Sequence, residues 1–341
     1  MAKDLTTPDP SVVLDLLEAF RRSKAMFAAV SLGVFDALAV SPKSLSDLAQ
    51  QIQANPDALG QLLDACVGLQ LLDKRDGQYE NTPVATAYLS KTSSHRLTGY
   101  ITYSNDVLWK LWGNLEDAVW DGTHRWQQTF GLEGDIFAHF FRTEEAKHEF
   151  LMGMHGQGVI SSPHVVAAFD LSRFRRLVDL GGATGHLAMA ACRRWPELRA
   201  VIFELPEALP LARKVVGASP VVDRIEFVAG DFFVDPLPEG DLYALGRILH
   251  DWTEKKILRL LGCIYHRLPQ GGAVLIAEKL LLDDKTGPGW AQMQNLNMLV
   301  CTEGKERTLA EYEILLNRVG FGEVLGCRTN SPLDAVLAFK A

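Results

Sequence analysis

Three kinds of residue in this 341-residue chain stand where they could do chemistry together. An apolar run, Leu177-Val178-Asp179-Leu180, breaks at Gly181-Gly182-Ala183-Thr184-Gly185 and resumes after His186 as the helical pattern Leu187 to Cys192. Glycine has no Cβ, so such a turn takes positive φ and lets a ligand lie against bare backbone. The helix after it points unpaired N–H groups at the same place. Glu204 follows Val201-Ile202-Phe203, and Asp231 follows Ile225 to Gly230 in Gly230-Asp231-Phe232-Phe233. A carboxylate after the second strand suits a ribose diol, and polar and aromatic groups after the third suit an adenine. That is a nucleoside site without phosphates, at the carboxyl ends of strands where ligands of such sheets lie. Arg247-Ile248-Leu249-His250-Asp251-Trp252 leaves the fourth strand and puts a histidine at the same edge.

Other nucleotides fit less well. An acid about 20 residues after the glycine turn matches dinucleotide logic. The glycines, however, fall at 181, 182 and 185, so G-x-G-x-x-G is not met, and only one βαβαβ half precedes the end of the chain. No Gly-Lys-Ser/Thr of a P-loop and no HExxH occurs, and no metal site is expected.

The elements that position these groups read as an α/β chain. From about residue 172 strands and helices alternate as in a doubly wound sheet. The strands are 177–180, 200–203, 225–229, 242–247 and 273–280, followed by an antiparallel hairpin of 322–329 and 335–339. Upstream, Ser11 is expected to cap a helix that carries Val13, Leu16, Leu17, Phe20 and Phe27 at helical spacing. The nearly all-apolar stretch 25–38 exceeds what one small core can bury, so part of it is expected to face a second copy of the chain. Ser44-Leu45-Ser46-Asp47 opens one helix and Pro56 another. Leu71 to Asn81 then reads as a hairpin on an Asp76-Gly77 turn. This order is a winged-helix module. Its second helix has no Arg or Lys to track phosphates, so dimerisation is expected rather than DNA binding. Residues 96–170 are helical and rich in rings, from Tyr100 and Tyr103 through Trp109, Trp112, Trp120 and Trp126 to Phe150. Most should be ordinary core; some could wall a pocket for a flat ligand. The expected division is 1–95 for dimerisation, 96–170 as a connecting substrate segment, and 171–341 for the cofactor.

Composition narrows the class. Net charge is −8, which argues against nucleic acid and against an anionic membrane surface. Five scattered cysteines suit a reducing compartment. The polar start Met1 to Pro8 lacks a signal-peptide core, and no apolar run reaches the roughly 18 residues of a span. A cytoplasmic location follows as the expectation.

The motifs at 179–185, 230–233, 249–252, Asn297-Met298-Leu299 and 302–308 together resemble the S-adenosylmethionine-dependent small-molecule O-methyltransferases. These are the plant caffeic-acid type and its bacterial and animal relatives. The chain most resembles the acetylserotonin O-methyltransferases, from about residue 10 to its end. The resemblance implies a Rossmann-like methyltransferase sheet, a dimerising N-terminal domain, a homodimer and an aromatic, hydroxyl-bearing acceptor. It implies cofactor contacts at Gly181, Glu204, Gly230, Asp231, Phe232 and Arg247. His250 matches the general base, Glu278 and Glu306 the carboxylates flanking it, and Tyr103, Trp112, Met154, Asp251, Asn297 and Cys301 the substrate side. Four positions depart from the pattern: Glu204 replaces Asp, Phe141 a Tyr, Gly158 a Trp, and Cys301 a Gln.

Under this reading an oxygen must be aligned with a sulfonium methyl and lose its proton. A phenol titrates near 10 and an imidazole near 6.5, so a positioned histidine is a reasonable base, with a carboxylate fixing its tautomer. Blander roles remain open: a helix cap for Asp251, favoured slightly on physics alone, ion pairs for Glu278 and Glu306, and structural roles for His155, His186 and His266. Two rival functions are a methyltransferase-fold enzyme that hydroxylates or decarboxylates instead, against which His250 counts, and a non-enzymatic dimeric regulator.

Overall fold

In the computed structural model, residues 8–134 and 136–340 are described, the side chain of Ile136 excepted. The polar start of the chain therefore lies, but for Pro8, outside the described residues. The chain forms two compact units, one ending at Asn105 and the other beginning at Asp106. The break falls inside the ring-rich segment.

In the N-terminal unit, helix α1 (Ser11–Ser31) is followed by strand β1 (Lys43–Ser44), helices α2 (Leu45–Ile52) and α3 (Pro56–Gly68), and strands β2 (Leu72–Arg75) and β3 (Gln78–Asn81). Ser44 caps α2 by accepting from the Asp47 N–H, and Asn55 does the same for α3 at Ala58. Asp76 and Gly77 both take positive φ, as a two-residue hairpin loop requires. β3 pairs with β2 and also with β1, a third strand too short to show any periodicity. Ser11 is not the cap of α1. Pro10 holds that position, and Asp9 accepts from the Ser11 N–H and hydroxyl.

The unpartnered apolar surface also differs from expectation. Ala29, Val30, Val34, Phe35, Ala37 and Leu38 are buried together with Leu48, Leu59 and Leu63 in the unit's own core. Exposed instead are Val12, Val13, Leu14, Leu16, Leu17 and Phe20 at the start of α1, each more than half exposed, and Leu32. Helices α2 and α3 and the hairpin absorb the later stretch; nothing in the unit covers the earlier one.

The C-terminal unit holds a seven-stranded sheet in the order β6-β5-β4-β7-β8-β10-β9. Its strands are β4 (Arg176–Leu180), β5 (Arg199–Glu204), β6 (Ile225–Ala229), β7 (Leu242–Gly246), β8 (Ala273–Glu278), β9 (Phe321–Cys327) and β10 (Asp334–Lys340). The first five pair in parallel, and the interior ones are apolar runs buried on both faces, the usual state of parallel strands. β10 inserts antiparallel between β8 and β9. Six helices matter below: α4 (Glu144–Ala167), α5 (His186–Arg194), α6 (Leu209–Gly217), α7 (Glu254–Arg267), α8 (Gly289–Cys301) and α9 (Leu309–Val319). Val165, Val166, Leu187, Ala188 and Val216 from α4, α5 and α6 close one core against Leu177, Ala200, Ile202, Leu242 and Leu275 of the sheet. Strand order reverses at β4, whose neighbours are β5 and β7. That places a crevice at the carboxyl ends of β4 and β7.

Candidate active site

Register builds the cofactor edge. Leu180 of β4 pairs with Phe203 of β5, and Glu204 with Ala229 of β6. The three strand ends are therefore side by side, and the chain leaving each meets the next. The Gly181 N–H donates to the Phe203 carbonyl and the Gly230 N–H to the Glu204 carbonyl. The Glu204 carboxylate accepts from the Ala183 and Leu205 N–H groups, both at 2.8 Å. Burial raises its pKa while those two bonds oppose the shift. Gly181, Ala183 and Gly185 all have positive φ. A Cβ at Gly181 would lie 2.6 Å from Ile248, and one at Gly185 or Gly230 would overlap Ile202 or Phe203. Asp179 fixes the turn from below by accepting from the Ala188 N–H at 3.1 Å, and burial lifts its pKa to about 7. Asp231 accepts from the Phe233 N–H at 2.7 Å, and the Phe232 and Phe233 rings meet edge to face at 4.8 Å.

The histidine is built by the next pair of strands. Gly246 of β7 pairs with Ala277 of β8, so Glu278 stands beside the point where β7 ends. Arg247 turns into the left-handed region, and its N–H donates to the Ala277 carbonyl. One oxygen of Glu278 then accepts from three successive N–H groups, Ile248 at 3.2 Å, Leu249 at 2.6 Å and His250 at 3.1 Å. Its other oxygen accepts from the Tyr312 hydroxyl of α9. Glu278 is thus the anchor of the turn that carries His250. Burial raises its pKa, opposed by His250 and Tyr312.

Glu306 supplies the contact to the ring. Its Oε1 lies 2.7 Å from His250 Nδ1, with Glu306 1 % and His250 4 % exposed. The Nδ1–H is therefore donated, and the lone pair stands on Nε2. Asp251 Oδ1 is 3.7 Å from Nε2, beyond a hydrogen bond. Burial alone would lower the His250 pKa; Glu306, Asp251 and Glu278 outweigh it and raise the value. Asp251 does not cap α7. Thr253 holds that position, while Asp251 is buried and donates no support to the helix. Nor are Glu278 and Glu306 surface ion-pair residues. Among the described residues, His250, Glu278 and Glu306 are the three that approach metal-ligand spacing, within 4.8 Å of one another; both Glu278 oxygens, Glu306 Oε1 and His250 Nδ1 are committed to the bonds just given, while Glu306 Oε2 is buried without a hydrogen-bond partner.

The substrate-side residues fall into three groups. Trp112 donates its indole N–H to Asn297 Oδ1 at 2.9 Å, and Cys301 on the same helix α8 bonds the Asn297 carbonyl. Burial raises the Cys301 thiol well above its usual range, which leaves it no nucleophile. Met154 is half-buried on α4. Tyr103 belongs to the N-terminal unit, where it is buried with its ring 6.2 Å from that of Tyr100. Of the rings in 106–170, Trp126 and Phe140 are core, and Trp120 is open to solvent.

Gly304 escaped the sequence reading. A Cβ there would overlap the His250 carbonyl and crowd the Trp252 nitrogen at 2.7 Å. The Glu303 N–H also donates to the Asp251 carbonyl at 3.1 Å. Segment 302–306 is thereby clamped to the histidine turn, which brings Glu306 to the ring.

A sheet of this order, a glycine turn at its switch point and a carboxylate-held histidine across from it define a Rossmann-like methyltransferase. An O-methyltransferase domain model matches residues 112–322, and an O-methyltransferase dimerisation domain model residues 14–91. Acetylserotonin O-methyltransferase of Gallus gallus is 40% identical over 97% of this chain and 97% of its own length. A Homo sapiens protein described as a probable bifunctional dTTP/UTP pyrophosphatase/methyltransferase is 38% identical; the alignment covers 99% of this chain and 55% of that protein. The crystal structure of human N-acetylserotonin methyltransferase in complex with SAM superposes with a TM-score of 0.93 at 36% identity, covering both chains fully. The chain belongs to the S-adenosylmethionine-dependent O-methyltransferases.

Proposed function

We propose that the enzyme methylates the hydroxyl of a flat aromatic small molecule, with His250 as general base. The observation that carries this reading is the His250–Glu306 pair, which leaves Nε2 as the acceptor atom. The donor set suits the cofactor: Glu204 offers carboxylate oxygens for a diol, Phe232 a ring for adenine, Arg247 a cation for the amino-acid carboxylate, and Gly181 and Gly230 admit close approach. When bound, S-adenosylmethionine supplies the methyl group from its sulfonium. His250 Nε2 takes the hydroxyl proton as the oxygen becomes the nucleophile, and Glu306 stabilises the resulting imidazolium. Trp112 and Asn297 hold each other at 2.9 Å, which leaves the Asn297 amide N–H₂ as a donor for the acceptor molecule; Met154, Asp251 and Cys301 are its further contacts. The non-methylating alternative is not favoured, since the base is present and oriented. Incubation with labelled cofactor and a panel of phenols and hydroxyindoles, N-acetylserotonin among them, tests the reading. Label appearing in an organic-extractable aromatic ether is the expected result. No transfer to any hydroxylated ring overturns it.

Glu306 has a second, quantitative consequence. Its carboxylate favours the imidazolium, so it raises the pKa of His250, and the base form appears only at higher pH. Glu306→Gln removes that charge, and the acid limb of log kcat/KM moves to lower pH by at least about one unit. The plateau falls at the same time, because the imidazolium loses its partner. The limb belongs to the His250, Asp251 and Glu278 cluster as a whole. An unmoved limb would show that Glu306 does not act on the histidine.

The proposed division keeps 1–95 for dimerisation, 96–170 as the connecting segment and 171–341 for catalysis. The homodimer forms through the N-terminal domain, and the exposed stripe Val13, Leu16, Leu17 and Phe20 is the face it covers. Leu16→Asp with Phe20→Asp is expected to shift the sedimentation mass from two chains to one. Wild type sedimenting as a monomer removes the proposal. Among the described residues no helix is long and apolar enough to cross a membrane, and the five cysteines are unpaired. On these grounds we place the enzyme in the cytoplasm.

A further inference from the structure

Two histidines outside the reacting centre stand at the glycine turn, His155 reaching it from α4 and His186 following it at the start of α5. His155 Nδ1 meets the Thr184 hydroxyl at 2.8 Å, and Thr184 is fully buried in the turn. His186, which opens α5 directly after Gly185, has its Nδ1 2.9 Å from the Ser162 hydroxyl. Gly158 lies between His155 and Ser162 on α4. A Cβ at 158 would overlap the His186 ring at Cγ, Cδ2 and Nδ1. This glycine has no positive φ, and inside a helix glycine weakens the element relative to alanine. The backbone gives no reason for it; the imidazole does.

His186 Nε2 has no hydrogen-bond partner among the described residues, and the residue is only partly buried. The neighbouring cation is Arg247, at the end of the adjacent strand β7, whose next residue, Ile248, packs against Gly181. Burial, with His155 and Arg247 adding to it, lowers the His186 pKa to about 3. The ring is therefore neutral in use and carries a single N–H. Where the Ser162 hydroxyl donates to Nδ1, that N–H is on Nε2.

We propose that His186 is a further cofactor-binding residue: Gly158 makes room for its ring, Ser162 holds Nδ1, and the Nε2–H donates to the carboxylate at the amino-acid end of S-adenosylmethionine, alongside Arg247. The inference rests on the reading of Arg247 and Gly181 as cofactor residues. It assigns this chain a neutral donor beside the cation, reached through a glycine in α4 that no other observation explains.

Titration calorimetry of the full chain separates the possibilities, using S-adenosylhomocysteine and its decarboxylated analogue. His186→Ala is expected to weaken S-adenosylhomocysteine about 10- to 100-fold, the range of one hydrogen bond to a charged group. Binding of the analogue should change by less than about 2-fold, because it lacks the group the N–H would meet. Ser162→Ala gives a smaller loss with the same ligand dependence. Equal losses on both ligands would mean a merely structural histidine and overturn the proposal, as would unchanged binding of S-adenosylhomocysteine. Gly158→Ala should lower Tm, and Gly158→Ala with His186→Ala should recover it; failure to recover breaks the matched pair. Wild type that binds S-adenosylhomocysteine but not more tightly than the analogue overturns this inference alone. Wild type that binds neither removes the cofactor-site reading as well.

Discussion

His250→Ala is expected to lower kcat by about 10²- to 10⁴-fold, the usual contribution of a positioned general base, while leaving the affinity for S-adenosylhomocysteine within about 2-fold. The separation follows from where the side chain points. His250 is bonded at Nδ1 to Glu306 and shares no hydrogen bond with Gly181, Glu204 or Gly230, which form the other side of the crevice. Only the step in which the acceptor oxygen loses its proton depends on Nε2. Residual turnover should remain, because alignment of the oxygen with the methyl does not need the base, and it should rise with pH as the acceptor ionises unaided. Wild-type rates show this dependence only below the pKa of the cluster. Single-turnover methyl transfer across a pH series measures both points. An alanine variant that transfers as fast as wild type, or one that loses cofactor binding in proportion, assigns the histidine a different role.

Much of this site is legible in the sequence because its parts are punctuation at strand ends. Apolar runs of four or five residues closing on Gly181, Glu204, Asp231 and His250 are local signals, and parallel order brings such ends together whatever the details of packing. What stayed hidden depends on register and on contacts distant in sequence. Glu278 ends a strand in any reading; that it accepts three N–H groups follows only from Gly246 pairing with Ala277. Glu306 looked like a polar loop residue because nothing local to 302–308 shows that Gly304 lies against the His250 carbonyl. Asp251 resembled a helix cap because its spacing to α7 permits one, and burial beside His250 decided otherwise. Composition places part of the apolar stretch 25–38 against a partner, yet most of its large residues fill the core under α2 and α3, with Leu32 left exposed. Composition measures how much surface must be covered and is silent on which part the chain covers itself.

Glu278 offers the second large effect, and here stability and catalysis separate by substitution. Glu278→Ala strips the acceptor from three buried N–H groups and from the Tyr312 hydroxyl at once. Unpaired buried donors cost about 1–3 kcal/mol each. Water can enter the space the side chain leaves and satisfy some of them, so the expected loss is about 3–5 kcal/mol, or on the order of 10 °C in Tm for a unit of this size. The turn from Arg247 to Asp251 then loses its fixed shape, and kcat falls with it. Glu278→Gln keeps a carbonyl oxygen at the same reach, so the three backbone donors stay satisfied and Tm changes little. It removes one of the carboxylates that raise the His250 pKa, so the acid limb of the rate profile should move to lower pH, by less than in Glu306→Gln, whose carboxylate is the larger influence on the ring. Thermal unfolding of both variants beside their pH profiles distinguishes anchor from reactant. A stable alanine variant, or a glutamine variant as unstable as alanine, contradicts the anchoring role. The distinction matters for the reaction itself: with Glu278 holding the backbone and Glu306 holding the ring, the position of Nε2 is set by two independent contacts, and a base fixed that way does not have to be reorganised when the proton arrives.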